Sequence, residues 1–155
     1  MSTTSLTPRM AHPVFAAPGA MDALQALSAA SSQGGVPETT LSLVHLRASQ
    51  INGCGVCVDM HSRELARAGE RDRRIFAVGA WRESPYFSDA ERAALALTEA
   101  GTRIADRGEA VSDELWEEVT DHYDEAAVAS LVLHIAQINY WNRVNAITKQ
   151  IAGQF

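Results

Sequence analysis

The only two cysteines of this 155-residue chain stand three apart, in the run Asn52-Gly53-Cys54-Gly55-Val56-Cys57. That spacing limits the fold at once. A crosslink over so short a loop removes little entropy from the unfolded chain, so no disulfide framework ties distant segments together. The chain must hold itself with an apolar core, and a hydrophobic content of 46% is enough for one. The pair is then a chemical device rather than a staple. It suits a reducing compartment in which thiol and disulfide interconvert.

The same run punctuates a helical pattern. Asn52-Gly53 breaks a helix that begins at Pro37 and runs to about Ile51, and a new one opens at Cys54 and ends at Gly69. Further helices are predicted over 21–32, over roughly 71–81, from the capping box Ser88-Asp89-Ala90-Glu91 to about Arg107, from Ser112 to about Tyr123, and from Asp124 to near Ala152. No alternating Val, Ile and Thr stretch suggests a strand. The expectation is an all-α chain of six or seven helices, with an extended arm over 1–20 that carries Pro8, Pro13 and Pro18 and one domain over 21–155.

Charge narrows the partners. The formal net charge is −6 and Lys and Arg form no run, so nucleic acid and anionic membrane are poor partners. No apolar stretch approaches the ~20 residues that span a bilayer. The N-terminal residues show no secretory pattern, which makes the cytoplasm the expected location. A small molecule or another protein remains open as a partner.

On a wheel of about 100° per residue, Cys54, Cys57 and His61 fall on one narrow stripe with Val58, Leu65 and Ala68. The thiols therefore share the apolar face of their helix, in a recessed pocket. The unpaired N–H groups of the first turn favour a thiolate there. His61, four residues after Cys57, can accept a thiol proton or hold it through a water. Glu64, three residues further, can orient that imidazole or simply be a solvated flank. A spacing of three lets the sulfurs join, so one thiol attacks and the other resolves. A haem of the c type needs His directly after the second Cys, where this chain has Val58. A zinc site through Cys54, Cys57 and His61 lacks a visible second ligand pair, and no metal is expected. Two inert buried cysteines are the bland alternative.

Leu46 through Cys54, continued by Cys57-Val58-Asp59-Met60-His61, resembles the carboxymuconolactone decarboxylase superfamily, and within it the alkylhydroperoxidase D-like branch. Ala80-Trp81-Arg82-Glu83, Glu91-Arg92-Ala93-Ala94-Leu95, Thr98-Glu99-Ala100 and Ile138-Asn139-Tyr140-Trp141-Asn142-Arg143 extend the likeness over about 37–150. The resemblance implies an all-helical homo-oligomer, commonly a trimer or hexamer. It implies a peroxidase or disulfide reductase without metal, haem or other cofactor, taking a small hydroperoxide and a thiol or dithiol electron donor. It assigns the sulfenic acid to Cys57, and to Cys54 the parts of proton donor and resolving thiol. Helix geometry alone favours Cys54 as the more exposed nucleophile. The decarboxylases of the superfamily generally lack the thiol pair.

The chain departs from the pattern at one place. Ser42 stands twelve residues before Cys54, where relatives with a developed relay carry Glu. Ser42, His45 and Ser49 form a polar stripe on the preceding helix, and His45 is a candidate replacement for the missing carboxylate; it is equally readable as a partly exposed residue with no role. Glu99 matches the family pattern but has no place relative to the thiols from sequence alone. His134 shares a stripe with Ile138, Trp141 and Asn145 and reads as packing or an interface. Trp81 and Trp141 read as core or subunit contacts, and His12 gives no signal. Two functions compete: a thiol peroxidase or disulfide reductase in antioxidant defence, and a redox-sensing or binding protein with negligible turnover.

Overall fold

The computed structural model describes residues 6–105 and 107–154. Of the expected N-terminal arm, residues 1–5 lie outside that range. The described residues are helical without strands: α1 Pro13–Ala16, α2 Ala20–Ser31, α3 Glu38–Asn52, α4 Gly55–Arg67, α5 Asp72–Ala77, α6 Asp89–Thr102, α7 Asp113–His122 and α8 Glu125–Thr148. Two short 3-10 segments, Ser32–Gly34 and Val78–Glu83, complete the order. The all-α class is as expected, with eight helices where six or seven were anticipated.

The caps read from sequence are present. Ser88 and Glu91 form a reciprocal capping box, and Ser112 and Asp124 accept from the backbone N–H three residues on. Gly69 takes a positive φ after α4, as a chain leaving a helix requires. Other boundaries differ. Pro37 is the residue before α3 rather than its first. The helix expected over 71–81 divides into α5 and the 3-10 segment Val78–Glu83, and inside that segment Ala80 leaves the helical region at φ −127° and ψ 37°. The helix expected to reach Arg107 ends at Thr102, and α8 ends at Thr148, where Lys149 turns left-handed.

α3 is the hub. One of its faces puts Leu41 and Val44 against Ala93, Ala94 and Leu97 of α6 and Leu131 and Ile135 of α8. Another puts Leu43 and Leu46 against Leu65 of α4, Val78, Trp81 and Leu95. Burying a leucine fully is worth about 2 kcal/mol, so these two clusters fix α3 between its neighbours. A third, smaller cluster joins Ala48 of α3 to Cys54, Val56, Cys57 and Ile138, with Trp141 against it. The segment before α2 lies along the C-terminal end of α8: the Arg9 N–H donates to the Thr148 carbonyl at 2.8 Å, and the Gln150 side chain donates to the Met10 carbonyl at 3.1 Å.

Candidate active site

The corner between α3 and α4 sets the two sulfurs. Gly53 closes α3 with φ +67°, a conformation that costs other residues strain, and its N–H bonds back to Gln50 and Ser49. Cys54 is then extended and serves as the N-cap of α4: its sulfur accepts the Cys57 N–H at 3.3 Å. Cys57 is the third residue of the helix. Their Cα atoms are 5.4 Å apart and the two sulfurs are bonded to each other. Cys54 is 3% exposed and Cys57 fully buried. The recess read from the helical wheel is real, although Ala68 at the end of the stripe is exposed.

A cavity of about 760 Å³ opens beside the pair, walled by His12, Val14 and Phe15 and by α2, α3, α4 and α8. Cys57 lines it and Cys54 does not. By exposure Cys54 is the slightly more open thiol, as helix geometry expects, yet as N-cap it lies under the corner and it is Cys57 that borders the cavity. Much of the wall is apolar, with Met21, Leu24, Val56, Met60 and Ile138, and Trp141 lines it too instead of serving only as core.

Four histidines, His12, His45, His61 and His134, reach this cavity. His61 Nδ1 lies 2.7 Å from the Glu64 carboxylate. Its Nε2 is buried and has no hydrogen-bond partner among the described residues. The hydrogen bond to His61 is the largest influence on Glu64, and it holds that carboxyl below its ordinary value against the opposing effect of burial. The His45 ring centre is 4.8 Å from that of His61.

On its other side His45 Nε2 meets His134 Nδ1 at 3.0 Å, and His134 Nε2 meets the Ser32 hydroxyl at 3.3 Å. The direction of this chain follows from its far end. Ser32 donates its proton to the Ser28 carbonyl at 2.9 Å, so its oxygen accepts from His134 Nε2–H. His134 Nδ1 then accepts from His45 Nε2–H, which leaves His45 Nδ1 bare. Burial first, then the neighbouring His61 and His134 rings, push the His45 pKa well below 6.5. Burial lowers that of His134 as well. Both rings are held neutral near neutral pH.

A third polar contact comes from α8. The Asn145 amide donates to the Cys57 sulfur at 3.3 Å, and its oxygen lies 3.0 Å from His12 Nε2. Below the cavity, Ser49 donates to the His45 carbonyl at 2.7 Å and accepts from Asn142 at 3.0 Å, which ties α3 to α8.

The structure thus brings Cys57, His61, His45, Ser42 and Glu64 to one cavity, with Cys54 bonded beneath it. Ser49 is buried outside the lining and Glu99 is elsewhere. The Glu99 carboxylate pairs with Arg47 at 2.6 Å, with Arg82, and with the Trp81 indole N–H at 3.1 Å. Sequence reasoning gave His134 and Asn145 to packing or an interface and found no signal at His12. The stripe His134, Ile138, Trp141 and Asn145 was visible on α8, and it lines the cavity. Among the described residues, no group of three or more His, Cys, Asp or Glu is arranged to hold a metal ion. Among those residues, too, no helix is long and apolar enough to cross a membrane.

Comparison with known proteins agrees with this architecture. The model of the carboxymuconolactone decarboxylase family matches residues 16–100. The uncharacterized protein YdfG of Bacillus subtilis is 40% identical over 129 residues, covering 83% of this chain and 86% of that one. A crystal structure from Agrobacterium tumefaciens, of a protein of unknown function named as a candidate antioxidant defence protein AhpD, superposes with a TM-score of 0.86 at 32% identity. It covers 96% of this chain and 100% of its own. A shorter stretch of 35 residues is 54% identical to the alkyl hydroperoxide reductase AhpD of Methylocella silvestris, covering 23% of this chain and 20% of that protein.

Proposed function

We propose, since the chain belongs to the carboxymuconolactone decarboxylase family and to its alkylhydroperoxidase D-like branch, that it is a thiol-dependent peroxidase or disulfide reductase. Cys54 and Cys57 cycle between dithiol and disulfide, and the substrate is a small hydroperoxide. The observation that carries this reading is the joined pair itself: one sulfur faces a cavity that four imidazoles also reach, and the other lies within bonding reach beneath it.

The cycle balances without a metal. The Cys57 thiolate attacks the terminal peroxide oxygen, the O–O bond breaks, and the alkoxide takes a proton to leave as alcohol. Cys54 attacks the resulting sulfenic acid, the disulfide forms and water departs. A cellular thiol or dithiol donor returns two electrons and two protons. The lining position of Cys57 supports it as the attacking sulfur. The Cys57 backbone N–H stabilises a Cys54 thiolate from the helix start, which favours its role as resolving thiol.

His61 is the proton acceptor in this scheme. Glu64 holds its Nδ1, and the unpartnered Nε2 is the nitrogen left to meet a thiol or a peroxide. His45 takes the place of the carboxylate that Ser42 lacks. Its low pKa suits it to pass a hydrogen bond along rather than to store a proton. Ser42, Ser49 and Glu99 hold the surroundings. We take residues 21–155 as the helical domain with an arm over 1–20, whose His12, Val14 and Phe15 complete the cavity wall. We place the chain in the cytoplasm, where donors keep thiols reduced. A trimer or hexamer is supported by an apolar groove of about 580 Å³, lined by Ile104, Val111, Trp116, Val132 and Tyr140, that a second copy can cover.

Steady-state consumption of an organic hydroperoxide with a dithiol donor tests the proposal. Turnover that depends on Cys57 is expected; a Cys57→Ser protein with full turnover refutes it. A redox sensor would instead show near-zero turnover while oxidation shifts its oligomeric state.

A further inference from the structure

We infer that Asn145 is a catalytic residue, the amide donor that stabilises the Cys57 thiolate, and that His12 is the positioning residue that aims it. The inference rests on Cys57 being the reactive sulfur. It follows from a chain of hydrogen bonds whose direction is set at its outer end.

The outer end is backbone. The Val14 N–H donates to His12 Nδ1 at 3.3 Å, as the side-chain cap of α1. A backbone amide has no alternative role, so Nδ1 is the acceptor and the ring proton sits on Nε2. His12 Nε2–H then donates to the Asn145 oxygen at 3.0 Å. That settles which way the Asn145 amide faces: the oxygen is turned to His12, and the NH₂ group to Cys57, 3.3 Å from its sulfur. An asparagine amide is otherwise free to flip and present its oxygen, which repels a thiolate. The contact is buried, with His12 at 8% exposure and Asn145 at 7%, so water does not screen it. An N–H aimed at sulfur favours the anion over the thiol. It lowers the pKa of the attacking Cys57 and eases its departure when a donor reduces the disulfide.

The arrangement links the segment before α2 to the chemistry. His12, 133 positions from Asn145, is held at the end of α8 by the neighbouring contacts of Arg9 with Thr148 and of Gln150 with Met10.

The test is a thiolate titration by ultraviolet absorbance in the Cys54→Ser background, where Cys57 is the remaining thiol. Asn145→Ala is expected to raise the Cys57 pKa by about one unit, a tenfold loss of thiolate at neutral pH. Asn145→Asp, which keeps the shape and loses the donor, moves it the same way and serves if the alanine variant does not fold. His12→Leu raises the pKa by a smaller amount, and His12→Gln, which can still donate to the Asn145 oxygen, restores it. A Cys57 pKa unmoved in a folded Asn145 variant overturns the inference, as does a His12→Leu shift that His12→Gln leaves in place. Titration needs no turnover, so this outcome is independent of whether the chain reduces peroxides.

Discussion

Two buried polar networks lie on different faces of α3, and they are built differently. Around Glu99 every strong group is matched: Arg47, Arg82, Arg103 and the Trp81 indole converge on one carboxylate. Burial pushes that carboxyl up, and the hydrogen bonds from Arg82, Arg47 and Trp81 outweigh it, so its pKa lies below the ordinary 4.5. Around Cys57 the groups are directional and incomplete: two imidazoles of low pKa, an amide on the sulfur, and the unpartnered Nε2 of His61. His45 and Arg47, two residues apart, belong one to each. A closed set of charges clamps helices together. An open set beside a reactive atom has capacity left for a substrate.

This contrast can be broken by experiment. The largest effect is expected from Cys57→Ser, which lowers peroxide turnover on the order of 10³-fold while leaving the unfolding midpoint nearly unchanged. Glu99→Ala does the reverse. It leaves Arg47 buried without its counter-charge and costs about 3 kcal/mol in denaturant unfolding. Thiol reactivity of the folded fraction stays as it was; a change there would merge the two networks. His61→Ala is expected to slow turnover about 10²-fold, visible in the peroxide rate with little effect on stability.

The smallest effect is a pH dependence. His45 and His134 stay neutral in the folded chain below 6.5, whereas the unfolded chain takes up protons there. Stability present above pH 6.5 is therefore lost as pH falls through that value, by about 1 kcal/mol per pH unit for each ring. His45→Gln removes its share. Unfolding curves of the two proteins between neutral and mildly acid pH measure it.

How much of this was legible in the sequence depended on separation along the chain. The thiol pair, the caps at Ser88, Ser112 and Asp124, and the His61–Glu64 contact all act within one turn, where spacing gives geometry. His45 with His134, and Asn145 with Cys57, are 89 and 88 positions apart, and only the packing of α8 across α3 and α4 brings them together. The polar stripe on α8 could be seen, but not what it faced. His12 sits in a segment without a period and offered nothing to read. Glu99 carried a family pattern yet no location, because its partners come from α3, the residue that follows α6 and the 3-10 segment after α5.

A single-turnover measurement probes the thiol cycle most directly. Fully reduced protein receives one equivalent of an organic hydroperoxide per chain, and intact mass and released alcohol are followed together. One equivalent of alcohol, the loss of two hydrogens from the chain, and their return on adding a dithiol are the expected result. Peroxide left intact beside two free thiols would contradict it.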